Sequence, residues 1–288
     1  MYNFEPEVLL NDEEFQLIRD LVYNHCGLYF DNSSKFLLEK RLNNRLKIHE
    51  MPNFKEYYYF LKYGKDKEKE MSEITDILTT NETYFFREDF QLKAFSEEII
   101  PELIEAKTKE NKKLIRVWSA GCSTGEEPYT IAILALESGI LKDFKVEIYA
   151  CDISNRVINA ARKGVYSKSS FRTTDEKFVK KYFTPEGDGM FKISDEPKKL
   201  VTFGHLNMLD SQRMSLIFPM DVIFCRNVII YFDLKAKKKV VESFYERLNP
   251  GGYLLLGHSE SLINITNLFE LKHLKNDLVY RKPHKTGR

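Results

Sequence analysis

The sequence lacks the features that mark a membrane or secreted protein. No apolar run approaches the roughly 18 residues that a transmembrane helix requires. Residues 1–12 are acidic and contain neither the basic region nor the apolar region of a secretory signal peptide. We therefore expect a cytoplasmic protein that does not insert directly into a membrane.

Cysteine is scarce, and its spacing argues against the common disulfide and metal motifs. The chain contains no Cys-x-x-Cys pair, and its four cysteines are Cys26, Cys122, Cys151 and Cys225. The last three end predicted strands, where a cysteine behaves as a small buried apolar residue. The sequence thus predicts buried thiols, with no disulfide and no metal site.

The chain also lacks a strong charge of either sign. Its 44 Lys and Arg residues balance 43 Asp and Glu residues, and the formal net charge at pH 7 is +1. Such a balance gives little attraction for nucleic acid or for an anionic membrane. Apolar residues make up 43% of the 288 positions, which is enough for a substantial core. The length favours about two domains.

The N-terminal quarter of the chain has helical periodicity and no strand pattern. Helices are predicted to begin at Asn11 or Asp12, after residues 32–34, and after residues 52–53. The charged run 65–70 is interpreted as a solvated loop before a fourth helix. We predict a small all-α domain over residues 1–80.

From residue 114 onward, predicted strands alternate with helices, which favours a mostly parallel sheet covered on both faces. We place a connecting segment at residues 81–90 and an α/β domain at 91–288. A turn at residues 185–189 interrupts the alternation and predicts a small antiparallel insertion over 164–204, with residues 201–203 as its third strand.

Residues 114–129 join a predicted strand, a turn of small residues and a helix, the unit that places a nucleotide-like ligand at a strand's carboxyl end. Gly121 and Gly125 are four residues apart and no Lys follows, so neither a dinucleotide fingerprint nor a P-loop is present. Glu126 and Glu127 suit the start of a helix but would repel a phosphate. A cationic ligand without phosphate, such as S-adenosylmethionine (SAM), fits this charge pattern. A plain capped helix is the alternative.

Asp152 follows the second predicted strand of the α/β domain. In open α/β sheets, an acid at this position binds the ribose hydroxyls of an adenosine ligand. The alternative role is to cap the next helix, which Ser154 could also do. We favour the ribose role.

Four stretches resemble, in order, the motifs of one enzyme family: NETYFFR (81–87), GCSTGEEPY (121–129), FCRNVIIYF (224–232) and GHSE (257–260). They are similar to motifs of the chemotaxis-receptor glutamate methyltransferases, the CheR family, over nearly the whole chain. The resemblance implies a Rossmann-like SAM-dependent methyltransferase domain with a small antiparallel β-subdomain after the all-α domain. It implies methylation of glutamate side chains on chemoreceptors, with glutamyl methyl esters and S-adenosylhomocysteine as products, in sensory adaptation during bacterial chemotaxis.

The resemblance also implies roles for individual residues. Arg87 and Tyr231 are the predicted catalytic residues, which would orient the substrate carboxylate. The predicted cofactor contacts are Asn81, Thr83, Arg87, Gly121, Glu126, Glu127, Asp152, Asn207, Met208, Arg226 and Asn227. Which of Glu126 and Glu127 touches SAM stays open. Taken alone, Arg87 favours a surface salt bridge with Glu82 or Glu88, and Tyr231 favours a core aromatic residue beside Phe232; the motif context reverses both interpretations.

The helix at 35–47 is rich in Lys and Arg. Such a charge run is usually a solvated helix face. The resemblance implies instead that it docks the glutamate-rich cytoplasmic helices of receptors, through Lys35, Arg41 and Arg45. It implies recruitment to membrane receptor arrays as well. Some family members bind a receptor's C-terminal peptide at the β-subdomain, and the sequence leaves that use open.

A carboxyl-methylating enzyme agrees with the chemistry of these residues, because a glutamate carboxylate with pKa ≈ 4.3 is already the nucleophile at neutral pH. A nucleic-acid methyltransferase is disfavoured, since Cys225-Arg226-Asn227-Val228 stands where an amino-methylating DNA enzyme carries Asn/Asp-Pro-Pro-Tyr/Phe. A non-catalytic SAM-binding adaptor is the other alternative. Arg87 and Tyr231 argue against it.

Overall fold

The computed structural model describes residues 8–284 and divides the chain into two units. The first contains the chain up to Thr80 together with Tyr231–Asp233. The second contains Asn81–Ile230 and the chain from Leu234 onward. In the range 8–284, no helix combines the length and the apolar character that a membrane span requires.

The first unit is built from helices, as the sequence predicts. Its α-helices are α1 (Asp12–Cys26), α2 (Lys35–Ile48), α3 (Phe54–Tyr63) and α4 (Lys67–Leu78). Asn11 caps α1 by accepting a hydrogen bond from the Glu14 N–H, and the Glu14 carboxylate bonds back to the Asn11 N–H. This capping box satisfies two N–H groups that a helix start leaves without partners. Gly27 ends the helix in a left-handed conformation.

The interpretation of residues 65–70 as a solvated loop is wrong. Helix α4 begins at Lys67, and Glu70 is only 3% exposed. Its carboxylate accepts hydrogen bonds from Arg45 Nε at 2.8 Å and from the Tyr57 hydroxyl at 2.5 Å, and it contacts His49 Nε2 at 2.7 Å. A buried charge is tolerated when it is paired and fully hydrogen-bonded. These partners join α2, α3 and α4.

The second unit has ten strands among the described residues: β1 (Leu114–Ala120), β2 (Lys145–Asp152), β3 (Val165–Ser167), β4 (Phe183–Gly187), β5 (Met190–Ile193), β6 (Val201–His205), β7 (Met220–Cys225), β8 (Leu248–Leu256), β9 (Glu270–His273) and β10 (Leu278–Arg281). Seven form one sheet in the order β6-β2-β1-β7-β8-β10-β9. The first five in that order are parallel, and β10 is antiparallel to β8 and β9. The chain runs from β1 to β2 on one side and returns to β7 on the other. The strand order therefore reverses between β1 and β7, where open α/β sheets bind ligands.

Helices connect these strands: α5 (Asp89–Ala94), α6 (Ile100–Lys109), α7 (Glu126–Glu137), α8 (Asn155–Lys163), α9 (Glu176–Tyr182), α10 (Asp195–Leu200), α11 (Ser211–Ser215) and α12 (Leu234–Arg247). A π-helical turn, Phe95–Ile99, joins α5 to α6. Every residue of β7 is buried, as expected of a central parallel strand covered on both faces. The predicted doubly wound α/β architecture is confirmed.

The predicted antiparallel insertion is present, but one of its strands was assigned wrongly. Its sheet has the order β3-β5-β4, with antiparallel pairing throughout. Residues 201–203 belong instead to β6, which pairs in parallel with β2 in the main sheet. The three-residue strand β3 is too short to produce an alternating pattern that the sequence alone could reveal.

The four cysteines are buried and free, as predicted for small apolar residues. Cys151 accepts a hydrogen bond from the Trp118 indole, with 3.2 Å between Nε1 and Sγ. Burial raises the pKa of the Cys151 thiol to about 12. It is therefore a neutral core residue at physiological pH.

Candidate active site

The turn between β1 and α7 makes two close approaches that only glycine permits. Gly121 and Gly125 have φ of +83° and +96°. A Cβ on Gly121 would lie 2.4 Å from Cγ2 of Val228, and one on Gly125 would lie 2.9 Å from Cβ of Ala161. The two glycines thus let the turn pack against the chain after β7 and against α8. This brings the carboxyl ends of β1 and β7 together.

Asp152 ties the end of β2 to the same turn. Its side chain accepts hydrogen bonds from the Ser123 N–H at 2.9 Å and from the Ser154 N–H at 3.0 Å. Ser154 is the residue that caps α8, since its hydroxyl accepts the Val157 N–H. The helix-cap role considered for Asp152 therefore belongs to Ser154. Asp152 is 8% exposed and lies beside the Gly-rich turn, where the ribose role would require it.

Glu126 is directed toward the insertion. It is 3% exposed, and its carboxylate accepts hydrogen bonds from the Thr124 hydroxyl at 2.6 Å and the Ser170 hydroxyl at 3.2 Å. Burial raises the pKa of Glu126 above its ordinary value. Because both carboxylate oxygens have protein partners, Glu126 joins α7 to the insertion.

Glu127 lies at the switch point of the sheet. Its Oε1 accepts a hydrogen bond from the Ser119 hydroxyl of β1 at 2.7 Å, and its Oε2 lies 3.5 Å from Arg226 Nη1, just after β7. Burial raises the pKa of Glu127, although the Arg226 charge opposes this. The geometry favours Glu127 over Glu126 as the glutamate that a ligand between β1 and β7 would meet.

The side chain of Arg226 contacts several residues of this site and is only 3% exposed. Its Nε and Nη2 donate to the Glu88 carboxylate at 3.2 and 3.0 Å, and Nη2 also donates to the Arg87 carbonyl. Together with the contact to Glu127, these bonds use all three guanidinium nitrogens. Arg226 therefore fixes the segment before α5 to the end of β7.

Strained backbone conformations cluster around this crevice. Four non-glycine residues that line it have positive φ: Phe86 (+58°), Glu88 (+58°), Ser123 (+48°) and Asn227 (+58°). Such conformations are uncommon for residues with a Cβ and persist where the surroundings determine them. Phe86, for example, is held by a hydrogen bond from its N–H to the Thr130 hydroxyl at 3.2 Å.

Arg87 lies in the segment 81–88, which precedes α5. Its Nη1 donates to the backbone carbonyl of Glu82 at 2.8 Å. The alternative of a salt bridge to Glu82 or Glu88 is disfavoured, because the Glu88 carboxylate bonds Arg226 and the Glu82 carboxylate bonds Arg172 at 2.9 Å. The guanidinium of Arg87 is partly exposed and bonds a neutral group.

The remaining predicted cofactor contacts lie in segment 81–88 and in the loop after β6. The Asn81 carbonyl accepts a hydrogen bond from the Ser123 hydroxyl at 3.1 Å, which places segment 81–88 on the Gly-rich turn. Thr83 is partly exposed. Asn207 and Met208 follow β6, whose last residue pairs with Asp152. The Asn207 amide oxygen accepts the Leu209 N–H at 3.0 Å.

Glu260 is a residue of the site to which the sequence assigned no role. Its carboxylate accepts four backbone hydrogen bonds at 2.7–3.2 Å, from the N–H groups of Asn227, Val228, Ile230 and Gly257. Burial raises the pKa of Glu260, and these N–H groups oppose the rise. The carboxylate thus fixes the loop after β7. The GHSE motif was the sequence signal for this residue, but three of the four partners of Glu260 lie about 30 residues away.

Tyr231 belongs to the first unit, where its backbone carbonyl accepts a hydrogen bond from the Tyr29 N–H at 2.9 Å. Its side chain is partly exposed, whereas the neighbouring Phe232 is buried. The interpretation of Tyr231 as a core aromatic residue is thus disfavoured. Its joint action with Arg87 stays a prediction.

All three predicted docking residues have partners within the first unit. Arg41 Nη1 donates to the carbonyls of Ile77 and Leu78 at 3.2 and 2.8 Å, at the end of α4. Arg45 is 12% exposed and forms the buried pair with Glu70. Arg41 and Arg45 therefore share a helix face because both pack on α4, and Arg45 belongs to the interior. Lys35 lies 2.5 Å from Asp12 at the surface.

The residues around the switch point fit a cationic ligand. Two largely buried carboxylates, those of Glu88 and Glu127, contact the guanidinium of Arg226, and a third, that of Asp152, lies beside the Gly-rich turn. Among residues 8–284, the amide oxygen of Asn227 is a buried acceptor without a hydrogen-bond partner. A ligand that brings positive charge and N–H donors but no phosphate would satisfy both features. S-adenosylmethionine, which carries a sulfonium and an ammonium, has these properties.

Comparison with known proteins agrees with this site. A sequence model of the CheR methyltransferase SAM-binding domain matches residues 81–277, and one of the CheR methyltransferase all-alpha domain matches residues 13–79. Chemotaxis protein methyltransferase 2 of Vibrio cholerae is 38% identical, over 97% of this chain and 96% of that protein. The chemotaxis protein methyltransferase of Borreliella burgdorferi is 37% identical, over 92% and 94%. That of Vibrio parahaemolyticus is 33% identical, over 95% and 98%. The resemblance seen in the four sequence motifs is confirmed: the chain belongs to the CheR methyltransferase family.

Proposed function

We propose that this protein transfers the methyl group of SAM to glutamate side-chain carboxylates of chemoreceptors, and that it forms glutamyl methyl esters and S-adenosylhomocysteine. One observation carries the proposal: the switch point of the sheet, with Glu127, Asp152 and Arg226, adjoins a segment that presents Arg87. A site for a cationic methyl donor is thereby joined to a guanidinium suited to an anionic substrate.

The cofactor would be held by residues from adjoining strand ends. Glu127 and the Asn227 amide oxygen would receive its N–H groups and positive charge, and Asp152 would accept its ribose hydroxyls. Asn207 and Met208 would frame the adenine. When bound, SAM supplies an electrophilic methyl group on a positively charged sulfur.

The substrate side of the site needs alignment rather than a base. A glutamate carboxylate is ionised at neutral pH and can attack directly. Arg226 is committed to Glu88 and Glu127, whereas Arg87 bonds a neutral carbonyl and keeps its charge for a substrate oxygen. Tyr231 would orient the same carboxylate through its hydroxyl. The site would accelerate the reaction by aligning the carboxylate with the methyl group.

Receptor recognition would use the exposed side of α2. Lys40 and Lys47 are exposed and lie seven residues apart, on one face of the helix. Cations on one face complement a glutamate-rich receptor helix. The protein would act in the cytoplasm, recruited to membrane receptor arrays by this contact.

The insertion would offer a second receptor contact. In β4, one of the two edge strands of its sheet, four of the five residues are exposed. An extended receptor tail could add to this edge through backbone hydrogen bonds, as peptides do on other sheets.

The test is incorporation of label from methyl-radiolabelled SAM into receptor-containing membranes, followed by alkali. Release of the label as methanol would support carboxyl methyl esters. Label that resists alkali would indicate methylation at nitrogen, and SAM binding without transfer would indicate an adaptor. Either of these outcomes would contradict the proposal.

A further inference from the structure

Arg172 of the insertion shares two neighbours with Arg87. The Arg172 Cζ lies 3.7 Å from the centroid of the Tyr84 ring, and its Nη2 lies 2.9 Å from the Glu82 carboxylate. The Arg87 Cζ lies 5.6 Å from the same ring, and its Nη1 donates to the Glu82 carbonyl at 2.8 Å. Both guanidinium groups are therefore attached to the same pair of residues.

The residues on either side of Arg172 hold the backbone of the same segment. The Phe85 N–H donates to the Ser170 carbonyl at 2.9 Å, and the Phe85 carbonyl accepts the Thr173 hydroxyl at 3.0 Å. The Phe85 ring is fully buried and stacks on Phe171 with 5.2 Å between centroids and 3° between planes. Residues 170–173 thus fix Phe85, and Arg172 extends this support to Glu82 and Tyr84, the two residues that contact Arg87.

We infer that Arg172 is a positioning residue for methyl transfer, which acts on Arg87 through Tyr84 and Glu82. This inference rests on the proposed function of Arg87. A guanidinium 3.7 Å from a ring centroid is in close cation–π contact, which restricts the rotation of Tyr84. Arg172 also holds the Glu82 side chain, and the carbonyl of that residue is the hydrogen-bond partner of Arg87. Through these contacts, the insertion determines where the Arg87 guanidinium lies.

A simple surface ion pair would not have this effect. The side chains of Arg172 and Glu82 are 42% and 71% exposed, and an exposed pair of this kind contributes little to stability. Two features distinguish a positioning residue from such an ion pair. Arg172 stacks on Tyr84, and it shares both Tyr84 and Glu82 with Arg87. A positioning role predicts that replacement of Arg172 lowers the rate of methyl transfer. It predicts little change in folding stability or in cofactor affinity.

The first test compares Arg172→Met with Lys192→Met in the full chain. Lys192 is an exposed insertion residue that pairs with Glu186 at 3.2 Å and serves as the matched control. We expect Arg172→Met to lower kcat/KM for receptor methylation about tenfold, a loss that imprecise alignment readily produces. Binding of S-adenosylhomocysteine, measured by calorimetry, should stay within about twofold of wild type. Equal methylation by the two variants would overturn the inference, as would a parallel loss of S-adenosylhomocysteine binding in Arg172→Met.

Tyr84 variants provide an independent measurement. Tyr84→Phe keeps the ring face and should keep activity near that of wild type, whereas Tyr84→Leu should lose activity as Arg172→Met does. If Tyr84→Leu were as active as wild type, the ring would not transmit the position of Arg172, and the inference would be wrong.

A double-mutant cycle separates indirect from direct action. If Arg172 acts through Arg87, adding Arg172→Met to Arg87→Met should cause little further loss of methyl transfer. Additive losses would mean that Arg172 acts independently of Arg87 and would overturn the positioning role. If Arg87→Met impaired transfer and Arg172→Met did not, this inference alone would fail. If wild type formed no alkali-labile ester, or Arg87→Met had no effect, the proposed function itself would fail.

Discussion

Arg226 and Glu88, 138 residues apart in the sequence, form a largely buried ion pair with 3.0 Å between Nη2 and Oε2. Arg226 follows β7, and Glu88 ends the segment that carries Arg87. Glu88 also has φ of +58°, a conformation that costs on the order of 1 kcal/mol or more for a non-glycine residue. The pair therefore holds a strained segment against the strand ends where the cofactor would bind.

The first prediction concerns this pair. Glu88→Gln should lower the free energy of unfolding by about 3 kcal/mol, because it removes one partner of a buried ion pair and leaves the Arg226 charge undercompensated. Urea denaturation measures the change. Asp89→Asn is the matched control, since Asp89 forms an exposed pair with Lys93 and its loss should cost less than about 0.5 kcal/mol. Equal effects of the two variants would contradict the structural role of the buried pair.

The affinity for the cofactor should depend on Glu127 more than on Glu126. Glu127→Gln removes a negative charge at the switch point and should weaken SAM binding about tenfold, the factor that about 1.4 kcal/mol represents. Glu126→Gln removes the charge of a carboxylate that bonds Thr124 and Ser170, and SAM binding should change by less than about twofold. Calorimetric titration with SAM measures both. The reverse order of effects would assign the cofactor contact to Glu126.

Parts of this site follow from the sequence because the relevant signals are local. The turn around Gly121 and Gly125, the carboxylates at the start of α7 and the position of Asp152 at a strand end all depend on neighbouring residues. Local pattern also identified four helices in the first unit.

The rest depends on contacts between distant residues, which a local pattern does not encode. Glu70 reads as part of a charged loop because its partners lie 13 to 25 residues away on other helices. Glu260 bonds a loop about 30 residues away, and Arg226 pairs with Glu88 across most of the second unit. Residues 201–203 join the main sheet because they pair with β2, which is distant in the sequence but adjacent in the fold. Each interpretation that failed concerned such a long-range partner.

The third prediction concerns pH. Burial raises the pKa of Glu126, so the folded protein binds this proton more tightly than the unfolded chain does. As pH rises above about 4.5, the unfolded chain releases this proton first. The stability that protonated Glu126 contributes is then lost as the pH rises through the higher pKa of the folded protein. Glu126→Gln has no such proton to lose. The free energy of unfolding of Glu126→Gln relative to wild type should therefore be higher at about pH 8 than at about pH 5. A constant or opposite difference in urea denaturation would contradict the raised pKa.

The Glu70 cluster gives the fourth prediction. Burial disfavours the Glu70 charge, but the bonds from Arg45, Tyr57 and His49 outweigh it, and the pKa of Glu70 lies below its ordinary value. Arg45→Met leaves the buried carboxylate without its guanidinium and should cost about 3 kcal/mol of unfolding free energy at neutral pH. Lys40→Met, at an exposed position of α2, is the control, with an expected change within about 0.5 kcal/mol. Similar losses in both variants would contradict the structural role of Arg45.

The last prediction concerns receptor docking, and the Glu70 cluster decides which residues can test it. A charge reversal at Arg45 would place two carboxylates together in the interior and would damage the first unit before any receptor contact was probed. Lys40 and Lys47 are exposed on α2, so charge reversal there should leave the fold intact. Lys40→Glu with Lys47→Glu should raise KM for receptor methylation about tenfold, because two repulsive charges would face a glutamate-rich helix. Binding of S-adenosylhomocysteine should be unchanged, and raised salt should narrow the difference from wild type. The control is Lys109→Glu with Lys112→Glu at the end of α6, where both lysines form exposed ion pairs outside α2 and the insertion. If that pair impaired methylation as much as the α2 pair, docking through α2 would be wrong.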